Sequence, residues 1–250
     1  ETRAAEITLR PNPGSPVRFG NFPTFFNRFE SRRLTSAGVD VGVIRFNNWM
    51  VPAVAQVDRA VNEFRELDGM VVDLRGNTGG LGAMVMGVAG HFYATRTPLG
   101  TMRTRQNQLE FFANPRLSDG SGNRVTPFAG PVAILIDQIT ASASEMFAGG
   151  MQATGRVRVF GETTMGAVLP AVTDLLPSGD VLYHAMGDFT TVAGESLEGV
   201  GVIPDERVSL SRDDLLAGRD PILNAALRWI AGQSRDGSNP GGRPGKERRM

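Results

Sequence analysis

Cysteine is absent from this sequence, and the formal net charge is +0. The absence of cysteine excludes disulfides, thiolate catalysis and cysteine-ligated zinc. The balance of 26 basic and 26 acidic residues argues against a nucleic-acid binder driven by bulk charge. No apolar run is long enough to predict a membrane span. Without clustered carboxylates or neighbouring histidines, the sequence also predicts no metal and no other cofactor.

Side chains that can accept a proton near neutral pH are scarce. The only lysine is Lys246, in the stretch "GSNPGGRPGKERRM", which is rich in glycine, proline and charge. The other basic residues are arginines, which do not lose their proton in proteins. The two histidines are His91, expected to be packed or half-exposed, and His184. A reaction that needs a general base therefore has few candidates in this chain.

Apolar patterning predicts an α/β fold with parallel strands. The stretches "VGVIRFNNW", "PAVAQVDRAVNEFREL", "DGMVVDLRGNTGG" and "LGAMVMGVAGHFY" predict a strand, a helix, a strand with a glycine-rich turn, and a helix. After a polar excursion with short strands over residues 95–130, "GPVAILID", "SASEMFAGGMQATG" and "RVRVFGE" repeat the strand–helix–strand order. "GVGVIPDERV" predicts an edge strand, and "DPILNAALRWIAG" predicts a closing helix.

A β-hairpin is predicted around the turn "PSGD". Closing it with a two-residue loop pairs Pro177 with Asp180. This register sets Thr173 opposite His184. Because side chains alternate along a strand, His184 would then share a face with Ala171.

The stretch "ITASASEMFAGG" places three hydroxyl side chains between a buried strand and a helix. A hydroxyl at a helix N-terminus suits a nucleophile, since the free N–H groups of the first turn can hold an oxyanion. The same position suits a helix cap, and Thr140, Ser142 or Ser144 could fill that role. Spacing alone favours capping. Glu145 lies in the first turn, where a carboxylate complements the helix dipole.

Two loops carry further candidate residues. In "DLRGNTGG", Gly79 and Gly80 permit positive φ and a close approach of backbone N–H groups to a substrate oxygen, with a simple turn as the alternative. The stretch matches neither common phosphate-loop pattern. In "LEGVGVIPD", Glu198 either orients a catalytic partner or is a solvated loop carboxylate.

Taken together and in order, four stretches resemble the C-terminal processing (tail-specific) serine peptidase family over roughly residues 41–230. They are "VDLRGNTGG", "VAILIDQITASASEMFAGGMQATGRVRVFGETTMG", "LPSGDVL" and "GVGVIPD". The resemblance implies a crotonase/caseinolytic-protease-like α/β core of stacked ββα units, with a β-hairpin and a C-terminal helix. It also implies an exported protein of the periplasm or cell envelope that acts on a peptide or protein substrate.

The resemblance assigns roles to particular residues. Ser142 matches the family nucleophile, which forms an acyl-enzyme. The oxyanion hole is then formed by the N–H of Ala143 together with that of Gly79 or Gly80. Glu198 matches a late glutamate that supports the base in the tricorn-like branch of the family.

The sequence departs from the family where the base is expected. The processing proteases carry a Gly-Lys-Gly triplet with a Gln four residues later, but this chain has Ala167 and Ala171 at those two positions. It therefore looks closer to the branch of the tricorn core and the retinoid-binding-protein repeats, which lacks the Ser-Lys dyad. That branch takes a His from an upstream strand, and "VGVIRFNNW" has none. His184 becomes the candidate base, because the predicted hairpin register turns it towards the space left by the missing Lys and Gln.

Three functional hypotheses stay open at this point. The first is a serine peptidase with a non-lysine base, contributed by His184 or by a part of the protein outside this chain. The second is a catalytically impaired pseudopeptidase that binds peptide termini or a hydrophobic ligand. The third is a hydrolase of a non-peptide ester or amide.

The domain prediction divides the chain into three parts. The alternating residues Ala5–Arg10 predict a strand. Because members of the family usually carry a PDZ domain upstream, the resemblance implies that residues 1–20 are the remnant of such a domain plus a linker. Residues 21–233 are expected to form the catalytic domain, and residues 234–250 a disordered tail. A homo-oligomer is left open.

Overall fold

The computed structural model describes residues 13–235, so the predicted strand at Ala5–Arg10 and most of the predicted tail lie outside the described residues. The strands, in chain order, are β1 (Ser15–Val17), β2 (Phe25–Asn27), β3 (Phe29–Ser36), β4 (Val39–Phe46), β5 (Gly69–Asp73), β6 (Thr97–Thr104), β7 (Gln108–Ala113), β8 (Val132–Ile136), β9 (Arg158–Gly161), β10 (Ala171–Leu175), β11 (Val181–Ala185), β12 (Gly187–Thr191) and β13 (Glu206–Arg207). The helices are α1 (Val51–Phe64), α2 (Ala83–Ala89), α3 (Ala143–Ala153), α4 (Arg212–Leu216) and α5 (Pro221–Arg235).

The centre of the fold is a six-stranded sheet with the order β13-β9-β8-β5-β4-β3. Strands β4, β5, β8, β9 and β13 run parallel, and α1 and α3 connect successive parallel strands. Strand β3 is antiparallel to β4 because only a two-residue turn joins them. Both turn residues, Ala37 (φ 51°) and Gly38 (φ 85°), have the left-handed φ that a type I′ hairpin turn requires.

Both faces of this sheet are covered, which explains its nearly continuous apolar strands. On one face, side chains such as Ile44 and Ile134 pack into a core shared with α1, α2 and α3. On the other face, side chains such as Val43 and Leu135 pack against α5. The α/β prediction is confirmed.

A second, three-stranded sheet with the order β12-β6-β7 closes the helical layer. It is antiparallel, and most of it comes from the polar stretch at residues 95–130. Helix α3 therefore lies between two sheets, and its residues 143–151 are all buried. The close approach explains one of its glycines, since a Cβ on Gly150 would lie 3.0 Å from the Leu99 carbonyl oxygen of β6.

The predicted lengths of two elements are wrong. The helix expected over "LGAMVMGVAGHFY" is an α-helix only over Ala83–Ala89, followed by a 3₁₀ turn at Gly90–Phe92. The edge strand expected over "GVGVIPDERV" pairs with β9 only at Glu206–Arg207. The preceding residues form loops instead, and their backbone carbonyls and N–H groups hydrogen bond to the segment before β10.

The predicted hairpin register is wrong by one residue. In the observed hairpin of β10 and β11, Thr173 pairs with Tyr183, and Val172 pairs with His184. The turn is longer than expected because Pro177 has no N–H to donate to a strand partner. Instead, the Leu176 N–H donates to the Asp180 carbonyl at 2.8 Å, leaving a three-residue loop.

Within residues 13–235, no helix has both the length and the apolar character needed to cross a bilayer. In that same part of the chain, no three acidic or histidine side chains lie together in a way that could hold a metal ion. The division into a PDZ remnant, a catalytic domain and a tail stays a prediction.

Candidate active site

Ser142 lies in a strained turn between β8 and α3. It has φ 55° and ψ −121°, and it is the N-cap residue of α3. A left-handed φ is uncommon for a residue other than glycine and costs about 1–3 kcal/mol, so it persists only where neighbouring contacts hold it. The serine is half-buried at the carboxyl edge of the sheet. Ser142 therefore lies at the N-terminus of a buried helix, directly before the N–H of Ala143.

The two neighbouring hydroxyl residues have structural partners. Ser144 is fully buried, and its Oγ accepts a hydrogen bond from Trp49 Nε1 at 2.9 Å. Thr140 is also fully buried, and its Oγ1 donates to the Leu74 carbonyl oxygen at 3.0 Å. Of the three candidate hydroxyls, only that of Ser142 is accessible.

Glu145 is fully buried in the first turn of α3, and its carboxylate accepts four hydrogen bonds. One oxygen accepts from the N–H groups of Ser142 (2.9 Å) and Ala167 (3.0 Å). The other accepts from the Gly166 N–H (2.8 Å) and from Thr164 Oγ1 (2.5 Å). These donors occupy the approximately four lone-pair sites of a carboxylate, so Glu145 fastens the serine turn to residues 164–167.

Sequence reasoning saw only part of this role, because it assigned Glu145 to the helix dipole. The Ser-x-x-Glu spacing of a capping box could have predicted the contact with the Ser142 N–H. Nothing in the sequence marks the contacts to Gly166 and Ala167, which lie more than twenty residues further along the chain.

The glycine turn of residues 76–80 contacts the serine turn directly. A Cβ on Gly79, which has φ 94°, would lie 2.6 Å from Ser142 Cβ, so only glycine fits there. The buried Asn77 supports the turn, since its Oδ1 accepts from the Gly79 N–H at 2.9 Å and its Nδ2 donates to the Phe46 carbonyl at 3.0 Å. The Ala141 N–H in turn donates to the Asn77 carbonyl at 3.0 Å.

The three residues predicted for the oxyanion hole differ in whether their N–H groups are free to bind an oxyanion. The Gly79 N–H is already donated to Asn77. Within residues 13–235, the N–H groups of Gly80 and Ala143 donate to no acceptor. Gly80 is exposed, and Ala143 is the first residue of α3. Gly80 and Ala143 are thus the two members of the predicted set whose donors are free.

The segment that carries Ala167 is held beside Ser142 from both sides. The Ser142 N–H donates to the Ala167 carbonyl at 3.0 Å. On the far side, Glu198 Oε2 accepts from the N–H groups of Val168 (2.7 Å) and Leu169 (3.1 Å). Although Glu198 is exposed, its two hydrogen bonds therefore fix the backbone of this segment. Ala167 is also exposed, so a longer side chain has room at that position.

His184 lies on the hairpin face opposite to the one predicted. It shares a face with Val172 and Asp174, whereas Ala171 is on the other face. Its Nε2 lies 2.7 Å from Asp174 Oδ2, and its Nδ1 lies 3.2 Å from the Ala185 carbonyl oxygen. The hydrogen bond to Asp174 is the main reason that the pKa of His184 is raised. The ring is thus engaged away from Ala171.

His91 is packed, as its sequence context suggested, with 1% of its surface exposed. Its Nε2 lies 2.7 Å from Asp58 Oδ1, and its Nδ1 lies 3.2 Å from Arg65 Nη2. Because an arginine can only donate, Nδ1 accepts and Nε2 carries the proton, which makes the ring neutral. Desolvation by burial lowers its pKa, in agreement with this tautomer.

The family model of peptidase family S41 matches residues 40–208, which is more than half of the chain. The chain belongs to peptidase family S41. This confirms the family predicted from the serine and glycine motifs. Its place in the tricorn-like branch stays a prediction.

Named relatives and solved structures agree with this assignment. The carboxyl-terminal-processing protease of Synechocystis sp. is 29% identical over 200 residues, which cover 78% of this chain and 45% of the relative. The photosystem II D1 C-terminal processing protease superposes with a TM-score of 0.61 at 24% identity, covering 82% of this chain and 52% of that one. The tricorn protease superposes with a TM-score of 0.59 at 21% identity, covering 79% of this chain and 18% of that one. The S41 chain described here thus spans less than half the length of its Synechocystis relative.

Proposed function

We propose that this S41 chain is the catalytic part of a serine endopeptidase-like hydrolase of the C-terminal processing type. The observation that carries the proposal is the strained Ser142 turn at the N-terminus of a buried helix, in contact with the Gly79–Gly80 turn. The hydroxyl of Ser142 and the free N–H groups of Gly80 and Ala143 are thereby held close together at the accessible end of the buried helix α3. Acyl transfer requires this pairing.

The proposed reaction proceeds through an acyl-enzyme. Ser142 Oγ attacks the carbonyl carbon of a peptide bond, and the N–H groups of Gly80 and Ala143 stabilise the resulting oxyanion. The C–N bond breaks as the leaving amine takes up a proton, and water then hydrolyses the ester. Glu145 and Glu198 position the turn and the adjoining segment without taking part in proton transfer.

The proton acceptor in this proposal is neither a side chain at position 167 nor Glu145. Ala167 replaces the family lysine, and the Glu145 carboxylate is already saturated with donors. His184 is the base that the sequence offers, but it could serve only if the hairpin reoriented and the contact with Asp174 broke. We therefore place the acceptor outside residues 13–235.

A fluorophosphonate probe tests the nucleophile. We expect labelling of one serine, mapped to Ser142 by peptide mass spectrometry and abolished in Ser142→Ala. Ser178→Ala, at an exposed serine of the hairpin loop, is the matched control and should label normally. Labelling that persists in Ser142→Ala would remove the proposal.

The same assay tests whether His184 acts as the general base. We expect His184→Gln to label within about twofold of the unsubstituted protein, because the ring is engaged by Asp174. A general base typically contributes 10²–10⁴-fold. A hundredfold loss in His184→Gln would therefore identify it as the base and show that the hairpin moves.

A second candidate function is a pseudopeptidase that binds peptide termini without turnover. The replacement of the family lysine by Ala167 favours it. This candidate predicts no labelling of Ser142 together with measurable binding of unstructured peptides. Labelling of Ser142 accompanied by peptide hydrolysis would exclude it.

Location and assembly extend the proposal on the strength of family membership. We propose an exported protein of the periplasm or cell envelope that works with an upstream PDZ domain and acts on peptide or protein substrates. Cell fractionation of the full-length protein tests the location. Recovery in the cytosol alone would contradict it.

A further inference from the structure

A groove of about 490 Å³ lies between the second half of α3 and the loop that joins β12 to β13. This volume is typical of pockets that bind ligands. Helix α3 contributes Gly149, Gln152 and Ala153 to the lining, and most of the other lining residues belong to residues 195–205. Gly149 lies about 10 Å along the helix from Ser142. The groove is therefore separate from the proposed acyl-transfer site.

The walls of the groove are largely apolar and reach the surface. Leu197 and Val202 are buried, whereas Val200 and Ile203 are 57% and 60% exposed. A Cβ on Gly149 would lie 2.8 Å from the Leu197 side chain, so the loop packs closely on α3. Large apolar side chains exposed together beside a cleft indicate a surface that another molecule covers.

The charge of the groove has a single sign. Glu195 and Asp205 are its ionisable lining residues, and both are exposed. Arg158, which is close in the fold, is paired with Glu206 at 3.3 Å. Residues 159–206 contain eight acidic residues and no lysine or arginine, although the whole chain has 26 residues of each sign. The local field therefore attracts a cation.

The backbone at the groove favours a peptide as the source of that cation. Within residues 13–235, the Ile203 N–H donates to no acceptor, while the Ile203 carbonyl accepts from Gln152 Nε2 at 3.0 Å. A free N–H beside apolar pockets suits the carbonyl of an extended peptide. The carbon stem of a lysine or arginine can lie along apolar surface while its charged end stays near Glu195 and Asp205.

We propose that this groove binds an unstructured peptide segment of another protein in which a lysine or arginine lies between apolar residues. The proposal goes beyond the peptidase function and does not rest on it. The bound segment would contact the loop whose Glu198 holds the backbone of Val168 and Leu169. The groove is thus a docking site on an element that also supports the segment beside Ser142.

Peptide binding to the Ser142→Ala chain tests the proposal without cleavage. Fluorescence anisotropy would be measured with three labelled peptides of one apolar sequence that differ only in a central lysine, glutamine or glutamate. Both peptide ends are blocked, so that the termini carry no charge. We expect the lysine peptide to bind about tenfold more tightly than the glutamine peptide, the equivalent of about 1.4 kcal/mol, and the glutamate peptide to bind most weakly. High salt should reduce the preference, because the two carboxylates are exposed.

Variants of the lining make the test specific. Glu195→Gln and Asp205→Asn should each reduce the preference for lysine to less than about threefold. The Asp205 variant keeps an oxygen that can accept from the Val159 N–H, as Asp205 does at 2.7 Å. Ile203→Ser should weaken the lysine and glutamine peptides alike, because it removes apolar contact without changing the charge. Glu110→Gln, at an exposed carboxylate of β7 outside the groove, is the matched control and should leave the preference unchanged.

Three outcomes would overturn the inference. They are equal binding of the lysine and glutamine peptides, an equal loss of the preference in Glu110→Gln, and displacement of the lysine peptide by butylammonium at the same concentration. The last result would assign the groove to a small ammonium ligand rather than to a peptide. Failure of the proposed peptidase function is seen separately, as absent labelling of Ser142, and does not affect this comparison.

Discussion

At the scale of single residues, Ala167 stands at the position where the Ser-Lys members of the family carry their lysine. The backbone around Ala167 is held tightly, since its N–H donates to Glu145 and its carbonyl accepts from Ser142. Only the side chain that would carry an amine is missing. The backbone of residue 167 is therefore fixed beside Ser142, while its alanine side chain offers no proton acceptor.

Restoring the lysine should accelerate reaction at Ser142. We expect Ala167→Lys to increase the rate of fluorophosphonate labelling by at least tenfold, because a positioned general base typically contributes 10²–10⁴-fold. Since Ala167 is exposed, the new lysine should keep an ordinary pKa near 10.4, and the gain should grow as pH rises from 7 to 10. The measurement is the labelling rate across that pH range.

Ala167→Met is the matched control, because it adds a chain of similar length without an amine. Equal labelling rates in the two variants would show that position 167 does not face the reacting hydroxyl.

The turn beside Ser142 depends on a second residue, Gly79. We expect Gly79→Ala to destabilise the fold by about 2–5 kcal/mol and to abolish labelling. The added Cβ meets Ser142 Cβ at 2.6 Å, and alanine is strained at φ 94°. Urea unfolding midpoints and probe labelling provide the two measurements.

Gly76→Ala is the control that separates the cost of backbone strain at a positive φ from the cost of a steric clash with Ser142. Gly76 also has a left-handed φ, of 73°, but a Cβ there would have no atom within 4 Å. This variant should lose only about 1–2 kcal/mol and keep its labelling. Equal losses in both variants would show that the close approach to Ser142 is unimportant.

At the scale of secondary-structure elements, a charge cluster around the buried His91 joins α1 to the 3₁₀ turn at Gly90–Phe92. His91 contacts Asp58 of α1 on one side and Arg65 on the other, and Asp58 also pairs with Arg116. Protonation of His91 would place an N–H opposite the Arg65 guanidinium and charge a group that is fully desolvated. The cluster is therefore stable only while the ring is neutral.

Stability should fall in acid because of His91. Burial lowers its pKa in the folded protein, so the unfolded chain binds a proton first as pH falls below about 6.5. The stabilisation is complete above that pH and is lost as pH falls through the folded value, with a slope of at most about 1.4 kcal/mol per pH unit. Urea midpoints between pH 8 and pH 5 measure the slope.

His184 provides the contrast, because its pKa is raised and its effect has the opposite sign. Its contribution is present below the unfolded pKa and is lost as pH rises through the folded one. Since its contact with Asp174 is exposed, solvent screens the effect. His184→Gln should therefore retain the acid destabilisation, and His91→Gln should flatten it. The reverse result would contradict the assignment of the pH dependence to His91.

At the scale of the whole molecule, the fold places all the candidate chemistry at one edge. Parallel strands bring their carboxyl ends together, so the serine turn after β8 and the glycine turn after β5 become neighbours. The sandwiching of α3 between two sheets fixes the position of its first turn.

The sequence by itself was sufficient to predict the parallel α/β core, Ser142 as the candidate nucleophile and the loss of the family lysine at Ala167. These features depend on local periodicity and on short motifs, which residues close in the chain encode. Only the tertiary structure decided the hairpin register, because a missing N–H at Pro177 lengthened the turn by one residue and moved His184 to the other face. It also decided that the Gly79 N–H is donated to Asn77 and that Glu145 is saturated with donors. Such partners are distributed along the chain, and only packing brings them within hydrogen-bond distance.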